Sequence, residues 1–382
     1  MDKQENILSL PAIGDKTRFW MIRTKNGFFF DEFISKGFIA IGWNLIKSST
    51  INTPLSKEQV DLLKQDIKDE YDEKLPGTAI NKCIKFCKEI KVGDIAVIVG
   101  RDRISFATIG DYYEADDPFL TVEFEKTVHK GIENANLKKD SFQCPYVKRR
   151  KISVINSINA HETGSPYLAN ALAVNRHSLS DMTEHAVTIL SSCYDSYLYK
   201  DNLYVTFRVE QEKDINAISL ANFIANSAII LSNGDTENVA AKTAVHSIGD
   251  IILQIKNFAL DNKFALLICY MAIFGGKFKS VEFNSITSLL KDWANRKHTK
   301  EMQELEERKA AAECTIAEEQ AIALRLANME KAKELQDQHI ENCVPLLKEA
   351  AEALKIKPNQ AVITSIEELM QKRIDQTDQN PN

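Results

Sequence analysis

The chain has 382 residues, 44% hydrophobic and 27% charged, so it can bury the cores of two or three domains. With 14 Gly and 9 Pro it is not collagen-like, low-complexity or wholly disordered. The net charge of −6, with 10 basic against 17 acidic side chains in residues 301–382, excludes a general polyanion binder, so any nucleic-acid site must be a local basic patch.

From Thr17 to about Val154 short apolar strands alternate with turn signals. Arg18-Phe-Trp-Met-Ile-Arg23 reads as a strand and Asn26-Gly27 as a turn. Phe28 to Lys36 reads as a short helix ended by Gly37, with Phe38-Ile-Ala-Ile-Gly-Trp43 as the next strand. Ser56 to Tyr71 has a Ser-x-x-Gln start and apolar spacing at Val60, Leu63 and Ile67, which predicts a capped helix, and Thr78 to Glu89 predicts another. Ile95 to Val99 and Ile104 to Ile109 read as a hairpin after the turn Lys91-Val-Gly-Asp94, with further strands expected at Thr121 to Val128 and Tyr146 to Ile155. Five or six short strands with two or three helices predict a small curled sheet or barrel rather than a doubly wound parallel sheet.

After Pro166 no proline occurs until Pro345, and glycine stops at Gly276, so helix is expected to dominate. Leu179 to Leu190 reads as a helix, and Tyr197 to Val209 as a hairpin about Lys200-Asp-Asn202. Ile215 to Leu231 and Ala240 to Ile273 read as two or three apolar helices, with Gly275-Gly276 as a helix cap. Asn284 to Asn342, free of Gly and Pro, predicts one very long helix or a helix pair, although its heptads are poor; a shorter helix follows from Pro345 to Lys355. The resulting expectation is an α+β chain: a curled-sheet domain at 15–185, an α-rich domain with a β-hairpin at 186–283, and a long acidic helical segment at 284–382. Residues 284–343 are expected to hold a second copy or a protein partner.

Seven cysteines without framework spacing read as reduced thiols of a cytoplasmic protein. The opening MDKQENILSLPAIGDK has no signal-peptide pattern. The longest apolar run, Phe264 to Phe274, is 11 residues against the roughly 20 that a spanning helix needs, and Asp261-Asn-Lys263 blocks its extension. A buried helix is therefore expected and a membrane partner is not.

The order of elements in the first half carries a resemblance. Phe19-Trp-Met-Ile-Arg23, Ala40-Ile-Gly-Trp43, Lys91-Val-Gly-Asp94, Ile109-Gly-Asp-Tyr112 and Lys148-Arg-Arg-Lys-Ile152 follow one another as in the PUA-like (EVE/YTH-type) domains of Mrr-type restriction and other bacterial defence proteins. Pro166 to Asp181, with Leu168, Leu172 and Asn175-Arg176, is similar to the segment that follows the closing strand there; Val154 stands where the group usually carries Trp. The resemblance implies a small PUA-like barrel that binds a base, often a modified one, in an aromatic pocket; the expected partner is a nucleic acid, DNA ahead of RNA. A flipped base stacks on an aromatic ring while cations hold its phosphates. The expected pocket residues are Arg23, Asn44, Trp43 and Tyr112. Trp20, mid-strand among apolar neighbours, is expected in the core, whereas Trp43 reads equally as pocket wall or core. Lys148, Arg149 and Arg150 are expected to touch phosphate, or else to be a solvated edge strand.

Catalysis is not expected of this chain, nor are a cofactor or a metal. The alternative, a Mg²⁺-dependent nuclease, would use Asp201 (or Asp195), Gln211 and Lys213, but Glu210-Gln-Glu-Lys-Asp214 reads as a turn rather than a buried strand. A non-enzymatic scaffold or membrane-associated effector is the other alternative. Cys83 and Cys87, at i and i+4, could form half a zinc site but lack a second pair nearby, and the seven histidines show no His-x-x-x-His spacing.

Overall fold

The structure, a computed structural model, describes residues 10–51, 55–133, 143–160, 166–175, 177–211, 214–232, 236–243, 249–257, 263–274 and 342–357. Two compact units divide the chain: Gly14–Cys193, and Met1–Ile13 together with Tyr194–Asn382. The boundary falls eight residues beyond 185, and the second unit gathers the regions at 194–283 and 284–382 together with the first 13 residues. Both units mix helix and sheet.

Strand β1 (Ala12–Ile13) belongs to the second unit, and the Gly14–Cys193 unit begins with β2 (Phe19–Arg23). Helix α1 (Phe30–Lys36) ends at Gly37, whose φ of +69° is open to glycine and whose N–H bonds Phe33 O. There follow β3 (Phe38–Ile41), the turn-length α2 (Ser48–Ile51) and α3 (Lys57–Tyr71), the last capped reciprocally by Ser56 and Gln59. Helix α4 (Pro76–Ile84) runs into a π-helical turn at Lys85–Glu89. Then come β4 (Ile95–Val99), β5 (Arg103–Glu114), α5 (Val122–Glu133), β6 (Lys148–Asn159), α6 (Pro166–Val174), β7 (Leu179–Asp181) and α7 (Ala186–Cys193).

The strands form one six-stranded sheet, β3-β6-β5-β4-β2-β7, curled into a half-barrel, with irregularities in the β5–β6 register at Phe106/Ala107 and Ile109/Tyr112. Only the β2–β4 pair is parallel. The Lys91-Val-Gly-Asp94 turn anchors that pair: the buried Asp94 carboxylate accepts from Trp20 Nε1–H at 2.9 Å, Arg18 N–H at 3.0 Å and Lys91 N–H at 2.9 Å. Trp20 is thereby a fully buried core residue, packed with Phe29, Phe33, Phe38 and Phe86. A smaller apolar cluster beneath α3 and α4 contains Ile46, Leu63, Ile67, Ile80 and Cys83.

Two expectations in this unit are corrected. The strand expected at Thr121 to Val128 is instead the start of helix α5, because Glu125, Val128 and Ile132 repeat at i, i+3 and i+7 and bury one face of it. Leu179 to Leu190 is not one helix: Leu179–Asp181 pairs with β2 instead, and the Asp181 carboxylate accepts from Thr183 N–H and Oγ1–H to start a 3₁₀ turn ahead of α7.

The second unit holds a five-stranded sheet in the order β1-β8-β9-β11-β10. The hairpin of β8 (Ser196–Tyr199) and β9 (Asn202–Val209) lies where it was expected, turning through Lys200 and Asp201 at positive φ. Helix α8 (Ala217–Leu231) is capped by the Asn216 side chain. The expected helix from Ala240 is corrected to a second hairpin, β10 (Val239–Thr243) with β11 (Gly249–Ile255), ahead of α9 (Lys263–Phe274). In β11 the buried Ile251, Leu253 and Ile255 alternate with half-buried Asp250, Ile252 and Gln254, a period of two. Residues 342–353 are helical and supply Val344, Leu347 and Leu354 at its C-terminal side to a core with Phe207, Phe223 and Tyr270. The expected long helix at 284–341 and the Gly275-Gly276 cap lie outside the described residues. No helix among the described residues is long and apolar enough to cross a membrane.

The nuclease constellation is not assembled. Asp201 lies in the turn before β9 and Gln211 beyond its end, and eight strand residues place them roughly 25 Å apart, too far to share a metal. Asp195 instead pairs with Arg208 at 3.5 Å, and Lys213 lies outside the described residues.

Candidate functional site

The site is built around the end of β3. Gly42 is required there because a Cβ would lie 2.6 Å from Glu125 Oε1 and 3.1 Å from the Tyr146 ring. The chain then turns through Trp43 at φ +61°, a left-handed conformation that costs a bulky residue on the order of 1 kcal/mol. Helix α5 supplies the restraint: Glu125 Oε1 accepts the Trp43 N–H at 2.7 Å, and Oε2 accepts the Asn44 N–H at 2.8 Å and the Tyr71 hydroxyl at 2.9 Å. Burial pushes the Glu125 pKa up, while these donors and Lys148 hold it down; the net shift is upward.

Beside this turn lies a cavity of about 470 Å³, within the range of small-ligand sites. Its aromatic wall is Trp43, Tyr71, Phe86 and Tyr146; its cations are Arg23, Lys25 and Lys82. His129 and Glu125 face it from α5, and His177 and Ser178 from the segment before β7. His129 Nε2 and the Tyr146 hydroxyl lie 2.9 Å apart, and burial, with Lys25 nearby, drives the imidazole pKa down to about 4, so it is neutral at physiological pH. Arg23 caps α6 by donating to Leu172 O and Asn175 O, both at 2.7 Å, and Lys25 pairs with Glu133 at 3.6 Å. The Lys82 ammonium stands 5.4 Å from the Trp43 ring centroid.

The basic strand is turned to a different use. Lys148, 1% exposed, donates from Nζ to Trp43 O at 2.7 Å and Ile46 O at 2.8 Å. Arg150, 4% exposed, donates to Phe86 O, Cys87 O, Ile90 O and Gly110 O, and so satisfies carbonyls left open around the π-helical turn. Arg149 donates to Tyr146 O and Cys144 O with its guanidinium 4.3 Å from the Phe38 ring centroid. The expected phosphate role is corrected for Lys148 and Arg150, whose buried heads are engaged by backbone carbonyls, whereas Arg149 is half-exposed. Nor is β6 an edge strand, since it lies between β3 and β5.

Asn44 is also corrected. Buried, it accepts the Val147 N–H on Oδ1 and donates both Nδ2 hydrogens, to Pro145 O and Leu120 O, and so serves as a loop clamp. Tyr112 packs edge-on to Phe86 and donates to Glu114 at 2.9 Å, away from the cavity lining. Of the expected site residues, Trp43 and Arg23 line the cavity together. Lys82, Glu125, His129 and Tyr146 were missed: Lys82 sits beside the more conspicuous Cys83, and Glu125 sits in the segment misread as a strand.

Cys83 is buried with Sγ 3.9 Å from Gly42 O, and burial pushes its thiol up to about 12. Among the described residues no three His, Cys, Asp or Glu side chains are grouped to hold a metal. Comparison with known proteins finds no matching family model, no matching curated protein and no matching solved structure.

Proposed function

We propose that the Gly14–Cys193 unit is a PUA-like module that receives a single base of a nucleic acid, in keeping with the EVE/YTH-type resemblance of its motifs. The observation that carries this reading is the cavity of about 470 Å³ into which Trp43 is locked at positive φ by Glu125. A strained aromatic held in place by a buried carboxylate is prepared before the ligand arrives, which reduces the ordering cost of binding. A base stacked on Trp43 would meet His129 and Tyr146 as polar groups for its edge, the kind of pocket that reads an extruded nucleotide. A place in a bacterial defence or restriction-type protein follows from the same resemblance, with the second unit as the part that contacts a partner or a further copy.

The test is fluorescence anisotropy of the full chain with single- and double-stranded DNA and RNA, unmodified and carrying modified cytosine or adenine, over a salt series. Binding that weakens with salt and falls about tenfold in Trp43→Ala, with the thermal midpoint kept, is the expected result. No binding to any of these at low salt overturns the reading.

A further inference from the structure

The three cations of the cavity are not equivalent. Arg23 is committed to the carbonyls that close α6, and Lys25 to Glu133. Lys82 makes no ion pair and no hydrogen bond among the described residues, and its ammonium is left over the Trp43 ring, half-buried. Loss of water lowers its pKa, with the Glu73 carboxylate acting the other way, so a cation is being held in a place that an arriving anion would relieve. The Glu125 carboxylate, by contrast, is buried with both oxygens engaged by the Trp43 and Asn44 N–H groups and the Tyr71 hydroxyl. The lining as a whole is balanced, Glu73, Glu125 and Glu133 against Arg23, Lys25 and Lys82, and Lys82 is the cation whose head is left over a ring face.

We propose that the cavity selects a phosphate-bearing nucleotide over the matching nucleoside, with Lys82 as the residue that holds the phosphate. This rests on the base-binding reading above. A base stacked on Trp43 brings its sugar and phosphate within reach of the flexible four-carbon stem of Lys82, whose ammonium can exchange a ring face for a phosphate oxygen. A charge-assisted contact of this kind in a partly dry site is worth about tenfold or more in affinity.

The experiment is titration of the full chain, followed by tryptophan fluorescence and calorimetry, with the four common nucleosides, their 5′- and 3′-monophosphates, and short single-stranded oligonucleotides. The expected result is at least about tenfold tighter binding of a monophosphate than of its nucleoside, a ratio lost in Lys82→Gln and recovered in Lys82→Arg. The oligonucleotide arm reads the same contact as a salt slope shallower by about one in Lys82→Gln, and tells whether a chain phosphate or a terminal one is taken. Equal binding of nucleoside and nucleotide by the unaltered chain overturns the Lys82 proposal and leaves the base-binding reading standing. Absence of binding by nucleosides, nucleotides and oligonucleotides alike overturns both.

Discussion

Two sets of cations lie in the same unit and have opposite fates. On β6, Lys148, Arg149 and Arg150 are adjacent in sequence, and their heads end on eight backbone carbonyls between them: Trp43 O and Ile46 O for Lys148, Tyr146 O and Cys144 O for Arg149, and the four acceptors of Arg150. On α4, Lys82 has no charged neighbour at i±1 and keeps its ammonium for the cavity. Density of charge along a chain thus says little about which charge is available. A strand interior to a sheet turns alternate side chains into the fold, and long cationic stems are suited to reaching carbonyls that helices and turns leave unsatisfied.

The most severe way to break this comparison is Arg150→Ala. It leaves the carbonyls of Phe86, Cys87, Ile90 and Gly110 without their donor in a buried setting, and should cost about 3–5 kcal/mol in urea unfolding. Lys148→Met should behave similarly at about 2–3 kcal/mol, keeping the stem and losing two bonds. Variants that instead stay fully stable and lose only nucleic-acid binding would return β6 to the role of a phosphate strand.

Much of the first unit was legible because local signals and tertiary context agree there. The Ser56–Gln59 capping box, the Gly37 helix stop and the Lys91-Val-Gly-Asp94 turn each satisfy backbone groups within a few residues, and each stands where the pattern put it. The misreadings occur where long-range pairing decides. Leu179–Asp181 is strand because β2 offers an edge, and Gly249–Ile255 because β9 does; its apolar run hid an alternation that β-branched residues on both faces obscure. Trp43 was visible as a candidate beside Gly42, but Glu125 was not, since its importance lies in a contact with residues 82 positions away.

Glu125→Ala sharpens the contrast from the cavity side. It frees the Trp43 and Asn44 N–H groups and the Tyr71 hydroxyl, and should cost about 2–3 kcal/mol while loosening the strained turn. Base binding should therefore fall in Glu125→Ala by more than in Glu125→Gln, which retains an acceptor oxygen; equal losses would show that the carboxylate does not position Trp43.

The pH dependence follows from two groups of opposite sign. His129 has its folded pKa near 4, below the usual value for histidine, so the unfolded chain takes up the proton first and stability falls as pH drops from about 6.5 towards 4, by about 2 kcal/mol. Glu125, raised by burial, contributes stability at low pH that is lost as pH rises through its folded value, and so opposes that trend. Thermal midpoints measured from pH 7 to 4 should drop less steeply in His129→Gln and more steeply in Glu125→Gln. A profile unchanged by both substitutions would remove these two groups from the account.

The smallest effects on stability separate the two sets of cations most cleanly. Lys151 is the one exposed member of the basic run, and Lys82 the cavity cation without an ion pair among the described residues. Neither carries a buried carbonyl, and the modest attraction of Lys82 for the Trp43 ring is offset by its partial loss of water, so Lys151→Ala and Lys82→Gln should each change unfolding free energy by no more than about 0.5 kcal/mol. Binding is where they part: a phosphate-dependent signal that falls in Lys82→Gln and persists in Lys151→Ala assigns the accessible charge to α4, whereas the reverse would place it on the outward side of β6.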